Sequence, residues 1–231
     1  MTTSRTRRAF PAHLKAVIFD LDGTLIDSLP DIAHVANAAL DSFGLPRYSE
    51  NDYRAMVGWG LGELSRLALE GLEGEKPPVE ELTRRIAELY GKHPFEYGSA
   101  YPGIEALLQR LHDTGIRLAV LTNKRHAVAV QTVAKAFPGI RFGYVRGDRE
   151  GYPRKPDPAT GVEVLEALGV DAAETVLVGD SDVDMQTAAG MNVFSIGVSW
   201  GYRDGDHLKN AGADRVVDST GELLAVFSGQ G

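Results

Sequence analysis

The sequence predicts an α/β protein in which a doubly wound parallel sheet is interrupted, after its first strand, by an all-helical insert. Three observations predict it. An apolar run, Ala16-Val-Ile-Phe19, is followed within a few residues by the turn formers Asp22-Gly23-Thr24. Between residues 28 and 98 only helical periodicity appears. From Tyr101 onward helical and strand patterns alternate, as they do when helices cover a parallel sheet.

The first fifteen residues, MTTSRTRRAFPAHLK, carry Arg5, Arg7 and Arg8, no acid and no apolar core of a secretory signal, and are read as a short disordered tail. Ala16 to Phe19 is then a short buried strand. Asp31 to Leu40 has apolar residues spaced by three and four, with Ser28 or Asp31 as the candidate helix cap. A second helical pattern, Glu50 to Leu69, breaks at Gly58-Trp59-Gly60, and a third runs from Val79 to Tyr90 after a soft Gly/Pro-bearing stretch. Beyond Tyr101, helices are expected at 104–114, 127–137, 158–168, 184–189 and 205–210. Strands are expected at 118–121, weakly at 142–145, and at 176–178, 193–198 and 215–217. The economical division is a core of residues 1–27 and 97–231 with a helical cap of residues 28–96.

Composition narrows the function classes. The 231 residues are 43% apolar and 24% charged, ordinary for a globular chain. The 32 acidic against 24 basic residues leave a net charge of −8, which disfavours nucleic acid and anionic membranes as partners and requires a local positive site for any anionic substrate. No apolar run reaches the length of a membrane span. The absence of cysteine excludes disulfide and thiolate chemistry, and a cytoplasmic location is expected. The six histidines, His13, His34, His93, His112, His126 and His207, show no metal-ligand spacing and are read as structural.

Asp20 and Asp22 stand two residues apart at a strand tip, where α/β folds place their chemistry. A D-x-D-G-T string is also an ordinary turn, but three distant segments match it. Leu118-Ala-Val-Leu-Thr-Asn123 ends an apolar run at Thr122, Lys155 stands in Arg-Lys-Pro-Asp-Pro, and Thr175-Val-Leu-Val-Gly-Asp180 ends in Asp180 with Asp184 four residues on.

The set FDLDGTLIDS, VGWG, LTNK, KPDP, GDSDVDMQ and GVSWGY, in this order, resembles the haloacid dehalogenase superfamily of phosphohydrolases from about Ala16 to Phe227, and within it the phosphoglycolate phosphatase-like members. The resemblance implies a Rossmann-like core with an inserted helical cap. It implies Asp20 as the nucleophile forming an aspartyl-phosphate and Asp22 as the general acid and base. Thr122 and the backbone N–H groups around Leu21, Asp22 and Asn123 would cradle the phosphate, and Lys155 would stabilise the transition state. Asp20, Asp180 and the Asp22 carbonyl would hold a metal, with Asp184 behind them or bound through water.

Clustering these carboxylates is costly, since two unit charges about 4 Å apart repel by roughly 4 kcal/mol at an effective dielectric near 20. A divalent cation relieves this, and an all-oxygen set suits Mg²⁺. Thr24 is expected to order the turn, Gly179 to allow close approach to the metal site, and Ser181 to cap the helix after it. Lys124 is read as a surface residue. In the cap, Trp59 is read as a packing residue or a lid over the substrate, and Arg54, Arg66 and Lys92 as a solvated face or carboxylate binders.

The expected activity is Mg²⁺-dependent hydrolysis of a small phosphorylated metabolite, best 2-phosphoglycolate, by a monomer or homodimer. A β-phosphoglucomutase-like phosphomutase, or a phosphatase of a sugar phosphate, nucleotide or pyrophosphate, is the alternative. A non-catalytic module is disfavoured because Asp20, Asp22, Thr122, Lys155 and Asp180 are all present.

Overall fold

The computed structural model describes residues 8–229. Strand β1 (Ala16–Phe19) leads through a two-residue strand β2 (Ile26–Asp27) into four helices, α1 (Leu29–Ser42), α2 (Glu50–Met56), α3 (Leu61–Glu70) and α4 (Val79–Lys92). After β3 (Ser99–Ala100) the chain alternates through α5 (Ile104–Asp113), β4 (Arg117–Arg125), α6 (His126–Ala136), β5 (Tyr144–Asp148) and α7 (Ala159–Leu168). It ends with β6 (Thr175–Gly179), α8 (Asp182–Met191), β7 (Phe194–Val198), α9 (Gly205–Ala211), β8 (Arg215–Val217) and α10 (Thr220–Phe227).

Six of these strands form one sheet in the order β5-β4-β1-β6-β7-β8, parallel at every pairing. Helices on both faces explain why β1 reads as an unbroken apolar run. Val17 and Phe19 join the core on one face, and Ala16 and Ile18 join the core on the other. The chain winds outward from β1 to β4 and β5, then returns to place β6 on β1's opposite side. The carboxyl ends of β4, β1 and β6 therefore lie side by side at the switch point, where doubly wound folds bind ligands.

The antiparallel pair β2 and β3 brackets the helical insert, pairing Ile26 with Ala100 and Asp27 with Ser99. The four inserted helices bury Val35, Ala39, Leu40, Leu64, Leu82 and Ile86 among themselves, and Val128 of α6 and Tyr202 from the loop after β7 join that cluster. Among the described residues, no helix is long and apolar enough to cross a membrane.

Several expectations need correction. Ser28 stands at the N-cap position of α1, but its hydroxyl turns to Asp22 instead of capping the helix, and the Asp31 carboxylate accepts from the backbone N–H groups of Glu96, Tyr97 and Gly98 at 2.8–2.9 Å. Asp31 thus ties the segment leaving the insert to the helix that enters it. The expected disordered tail is not a tail over residues 8–15. The Arg8 guanidinium pairs with Asp214 at 2.7 Å, the Phe10 ring meets Phe194 edge-on at 5.3 Å, and Lys15 N–H bonds to Glu174 O. Residues 1–7 of that segment, with Arg5 and Arg7, lie outside the described residues. The weak strand sits two residues later than expected because its buried part includes Arg146, whose charge is met by Glu163 at 3.2 Å.

Candidate active site

Asp20 is the first residue beyond β1, and its backbone N–H still bonds to Val178 of β6. The strand thereby aims the carboxylate at the gap between β4 and β6. There the Lys155 Nζ, from the loop after β5, lies 2.8 Å from Asp20 Oδ1 and 2.7 Å from Asp184 Oδ1. All three side chains are almost fully buried. Burial alone would depress the Lys155 ammonium, but the charges of Asp184 and Asp20 outweigh it and hold its pKa above the ordinary lysine value.

Asp180 is the first residue after β6, and Asp184 is the third residue of α8. A local rule fixes Asp184: Ser181 caps the helix in a capping box, so Asp184 Oδ2 accepts from the Ser181 N–H and hydroxyl at 3.1 and 2.6 Å. Its other oxygen is left for Lys155. Asp180 accepts from Thr24 Oγ1 at 3.1 Å and from the Tyr202 N–H at 2.8 Å. Thr24 therefore orients a carboxylate rather than only its own turn. Gly23 has a φ of +87°, and a Cβ there would fall 2.3 Å from Asp180 Oδ2; one on Gly179 would fall 2.3 Å from Asp184 Cγ. Both glycines are required by the closeness of backbone to carboxylate.

One oxygen each of Asp20, Asp180 and Asp184 lies within 4.8 Å of the others. Burial pushes Asp20 up to about 7, with Lys155 opposing the rise and Asp184 adding to it. Asp180 is likewise raised, by burial and then by the charges of Asp20 and Asp184. Three buried carboxylates repelling one another around a shared point form an all-oxygen donor set that fits a hard divalent cation.

Asp22 occupies different surroundings. Its Oδ1 accepts from the Ser28 hydroxyl at 2.5 Å and from Lys124 Nζ at 2.8 Å, and Ser28 Oγ lies 3.2 Å from the Tyr202 hydroxyl. Lys124 Nζ also meets the Tyr90 hydroxyl of α4 and lies 4.2 Å from the centre of that ring. The expectation of a surface lysine is thus wrong: the Lys124 side chain is 4% exposed.

Thr122 lies near the end of β4, inside the irregular stretch of the β4–β5 pairing between Leu121 and Arg125. Its hydroxyl oxygen accepts from the Lys124 N–H at 3.1 Å, leaving its proton to donate. The Asn123 amide donates to Gly58 O and Lys155 O, both at 3.1 Å, and so links the cap loop, β4 and the lysine loop.

A matching family model covers residues 17–198 and describes haloacid dehalogenase-like hydrolases. The chain belongs to that family. Phosphoglycolate phosphatases are among its relatives: one from Chromobacterium violaceum is 33% identical over 214 residues, spanning 91% of this chain and 95% of the relative. Another, from Neisseria meningitidis, is 34% identical and covers 93% of each chain. Among solved structures, a predicted phosphoglycolate phosphatase from Haemophilus somnus superposes with a TM-score of 0.83 at 28% identity, covering 93% of this chain and 98% of its own.

In this hydrolase, Asp20, Asp22, Thr122 and Asn123 line one small pocket of about 60 Å³ between the cap and the sheet. Cap residues Ile32, Val57, Leu61, Leu64 and Ala87 form its apolar wall. Leu21 is fully buried in the core, so only its backbone is available to the site. Gly58 and Gly60 border the pocket, whereas the half-buried Trp59 between them is not part of its lining. Of the cap cations, Arg54 donates to Gly201 O at 3.0 Å, Arg66 pairs with Glu63 and Glu70 on an exposed face, and Lys92 is exposed. None of the three lines the pocket.

Sequence reasoning missed Ser28, Tyr90, Lys124 and Tyr202 as site residues. Only Tyr202 carried a usable signal: it follows β7 at the same sheet edge as the other motifs, and its loop packs so closely that a Cβ on Gly201 would fall 2.3 Å from Gly23 O.

Proposed function

We propose that this protein is a Mg²⁺-dependent phosphatase that hydrolyses a small phosphate monoester, best 2-phosphoglycolate, through an aspartyl-phosphate on Asp20. The observation that carries this reading is the contrast between two carboxylates only two residues apart. Asp20 sits against Lys155 and the acidic cluster, while Asp22 faces the pocket among hydroxyls and Lys124. Two environments suit two roles.

In the first step an Asp20 oxygen bonds to phosphorus, and the ester P–O bond breaks with its electron pair passing to the leaving oxygen. Asp22 supplies the proton that this oxygen takes. In the second step Asp22 removes a proton from water as the water attacks phosphorus, and the acyl-phosphate P–O bond breaks to restore Asp20. Lys155 keeps a positive charge beside Asp20, and Thr122 donates to a phosphoryl oxygen. Asp20, Asp180 and the Asp22 carbonyl would hold Mg²⁺, with Asp184 behind them, and the bound ion would neutralise charge on the phosphoryl oxygens.

The phosphoglycolate choice is supported by the relatives' names. The test compares 2-phosphoglycolate with sugar phosphates, nucleotides, pyrophosphate and phosphonoacetaldehyde by kcat/KM in the presence of Mg²⁺. The expected result is the highest value for 2-phosphoglycolate, with turnover lost on chelation. A higher kcat/KM for a sugar phosphate or nucleotide overturns the substrate choice, and no turnover on any ester overturns the phosphatase reading.

A further inference from the structure

We infer that Lys124 is the residue that recognises the carboxylate of a 2-phosphoglycolate-type substrate, and that Tyr90 of the cap fixes its ammonium for that task. The inference rests on the phosphatase reading above and adds to it the chemical group that selects the substrate.

A substrate with an anionic group beyond its phosphate needs a second cation in this acidic protein. Among the described residues, the cations lining the pocket are Lys124 and Arg125. Arg125 is partly exposed and lies 3.6 Å from Asp148, while Lys155 is committed to Asp20 and Asp184. That leaves Lys124, which is nearly sealed from solvent and lies against apolar walls, where a charge-assisted hydrogen bond is strongest.

Its position matches the substrate's covalent structure. Asp22, the acid for the leaving oxygen, lies 2.8 Å from Lys124 Nζ. In a phosphate ester of a 2-hydroxy acid the carboxylate is joined to the leaving oxygen through a single carbon. A cation beside the proton donor is therefore placed to meet the carboxylate. Of its three N–H donors, Lys124 directs two to Asp22 and to the Tyr90 hydroxyl. The third remains for a ligand in the pocket that Lys124 lines.

The Tyr90 contact ties this recognition to the insert. Tyr90 belongs to α4 of the insert and Lys124 to β4 of the sheet, 34 residues apart in sequence. With Nζ bonded to the Tyr90 hydroxyl and 4.2 Å from the centre of that ring, the seated insert adds a second restraint to the one Asp22 supplies from the core.

The test uses two substrates that differ in one group, 2-phosphoglycolate and 2-hydroxyethyl phosphate, with Mg²⁺ and the full chain. The ratio of their kcat/KM values cancels any effect that a Lys124 variant exerts through Asp22 on both reactions. Wild type is expected to prefer 2-phosphoglycolate, and Lys124→Met to reduce that ratio by roughly 10- to 100-fold, the range for one hydrogen bond between charged groups, chiefly through KM. Lys124→Arg should retain part of the preference. Tyr90→Phe, which keeps Lys124 but removes the hydroxyl, should raise KM for 2-phosphoglycolate more than for 2-hydroxyethyl phosphate, which lacks the carboxylate; this second variant tests the inference if Lys124→Met does not fold. An unchanged ratio in a folded Lys124→Met protein, or in Tyr90→Phe if only that variant folds, overturns the inference. Equal use of both esters by wild type overturns it while leaving the phosphatase reading intact, and no turnover of either removes both.

Discussion

At the scale of single residues, the site depends on how each carboxylate is restrained. Asp184 is fixed by its own helix cap, Asp20 by β1, and Asp180 by two donors, one of which is the Thr24 hydroxyl at 3.1 Å. Groups that orient a metal ligand without touching the metal typically affect its affinity by about 10- to 100-fold. Thr24→Val, which keeps the buried shape but removes the donor, should therefore raise the Mg²⁺ concentration for half-maximal activity by about 10-fold at an unchanged fold. Titration of activity with Mg²⁺ checks this. Asp20, Asp22, Thr122, Lys155, Asp180 and Asp184 were legible in the sequence because their type and order carry the signal. Lys124 was not. Its burial depends on Asp22, 102 residues away, and on Tyr90, 34 residues away, and nothing in Leu-Thr-Asn-Lys records either partner.

At the scale of elements, Asp31 is one anchor of the junction between insert and core. Asp31, 1% exposed, gathers the N–H groups of Glu96, Tyr97 and Gly98 just before β3 returns to pair with β2. Removing a buried charged acceptor leaves those donors unpaired, at a cost of about 1–3 kcal/mol. Asp31→Ala should thus lower the melting temperature measurably, whereas Asp31→Asn, which can still accept, should lower it less. Thermal unfolding followed by circular dichroism distinguishes the two. The helices and most strands were legible from periodicity because each buries one face or lies wholly inside. The two-residue strands β2 and β3 were not, since two residues cannot display a period, and α10, eight residues long, fell below a recognisable helical pattern. The docked segment from Arg8 to Lys15 was missed for a different reason: its partners, Asp214, Phe194 and Glu174, are all distant in sequence.

At the scale of the whole molecule, the acidic cluster links stability, pH and metal. Asp20 is raised by burial to about 7 and Asp180 is raised as well. Without metal, the folded protein therefore holds protons that an unfolded chain releases near pH 4. Raised carboxyl pKa values contribute stability that is fully present below the ordinary carboxyl value and is lost as pH climbs through the folded value. The metal-free protein should lose stability between about pH 4 and 7, and Mg²⁺ should restore it by replacing protons as the neutralising charge. The gain in melting temperature on adding Mg²⁺ should accordingly be larger near pH 8 than near pH 5.5. Equal gains at both values would contradict this. The fold class was legible from alternation alone. Which residues the switch point brings together became legible only through their order along the chain.

The central claim is that Asp20 carries the phosphoryl group and Asp22 releases it. The most direct measurement is mass analysis of the peptide holding Asp20, after acid quenching of Asp22→Asn protein turning over 2-phosphoglycolate with Mg²⁺. We predict slowed turnover and a phosphoryl group on Asp20, absent from an Asp20→Asn control that is itself inactive. Normal turnover by the Asp20→Asn protein, or a phosphoryl group on a residue other than Asp20, would contradict the claim.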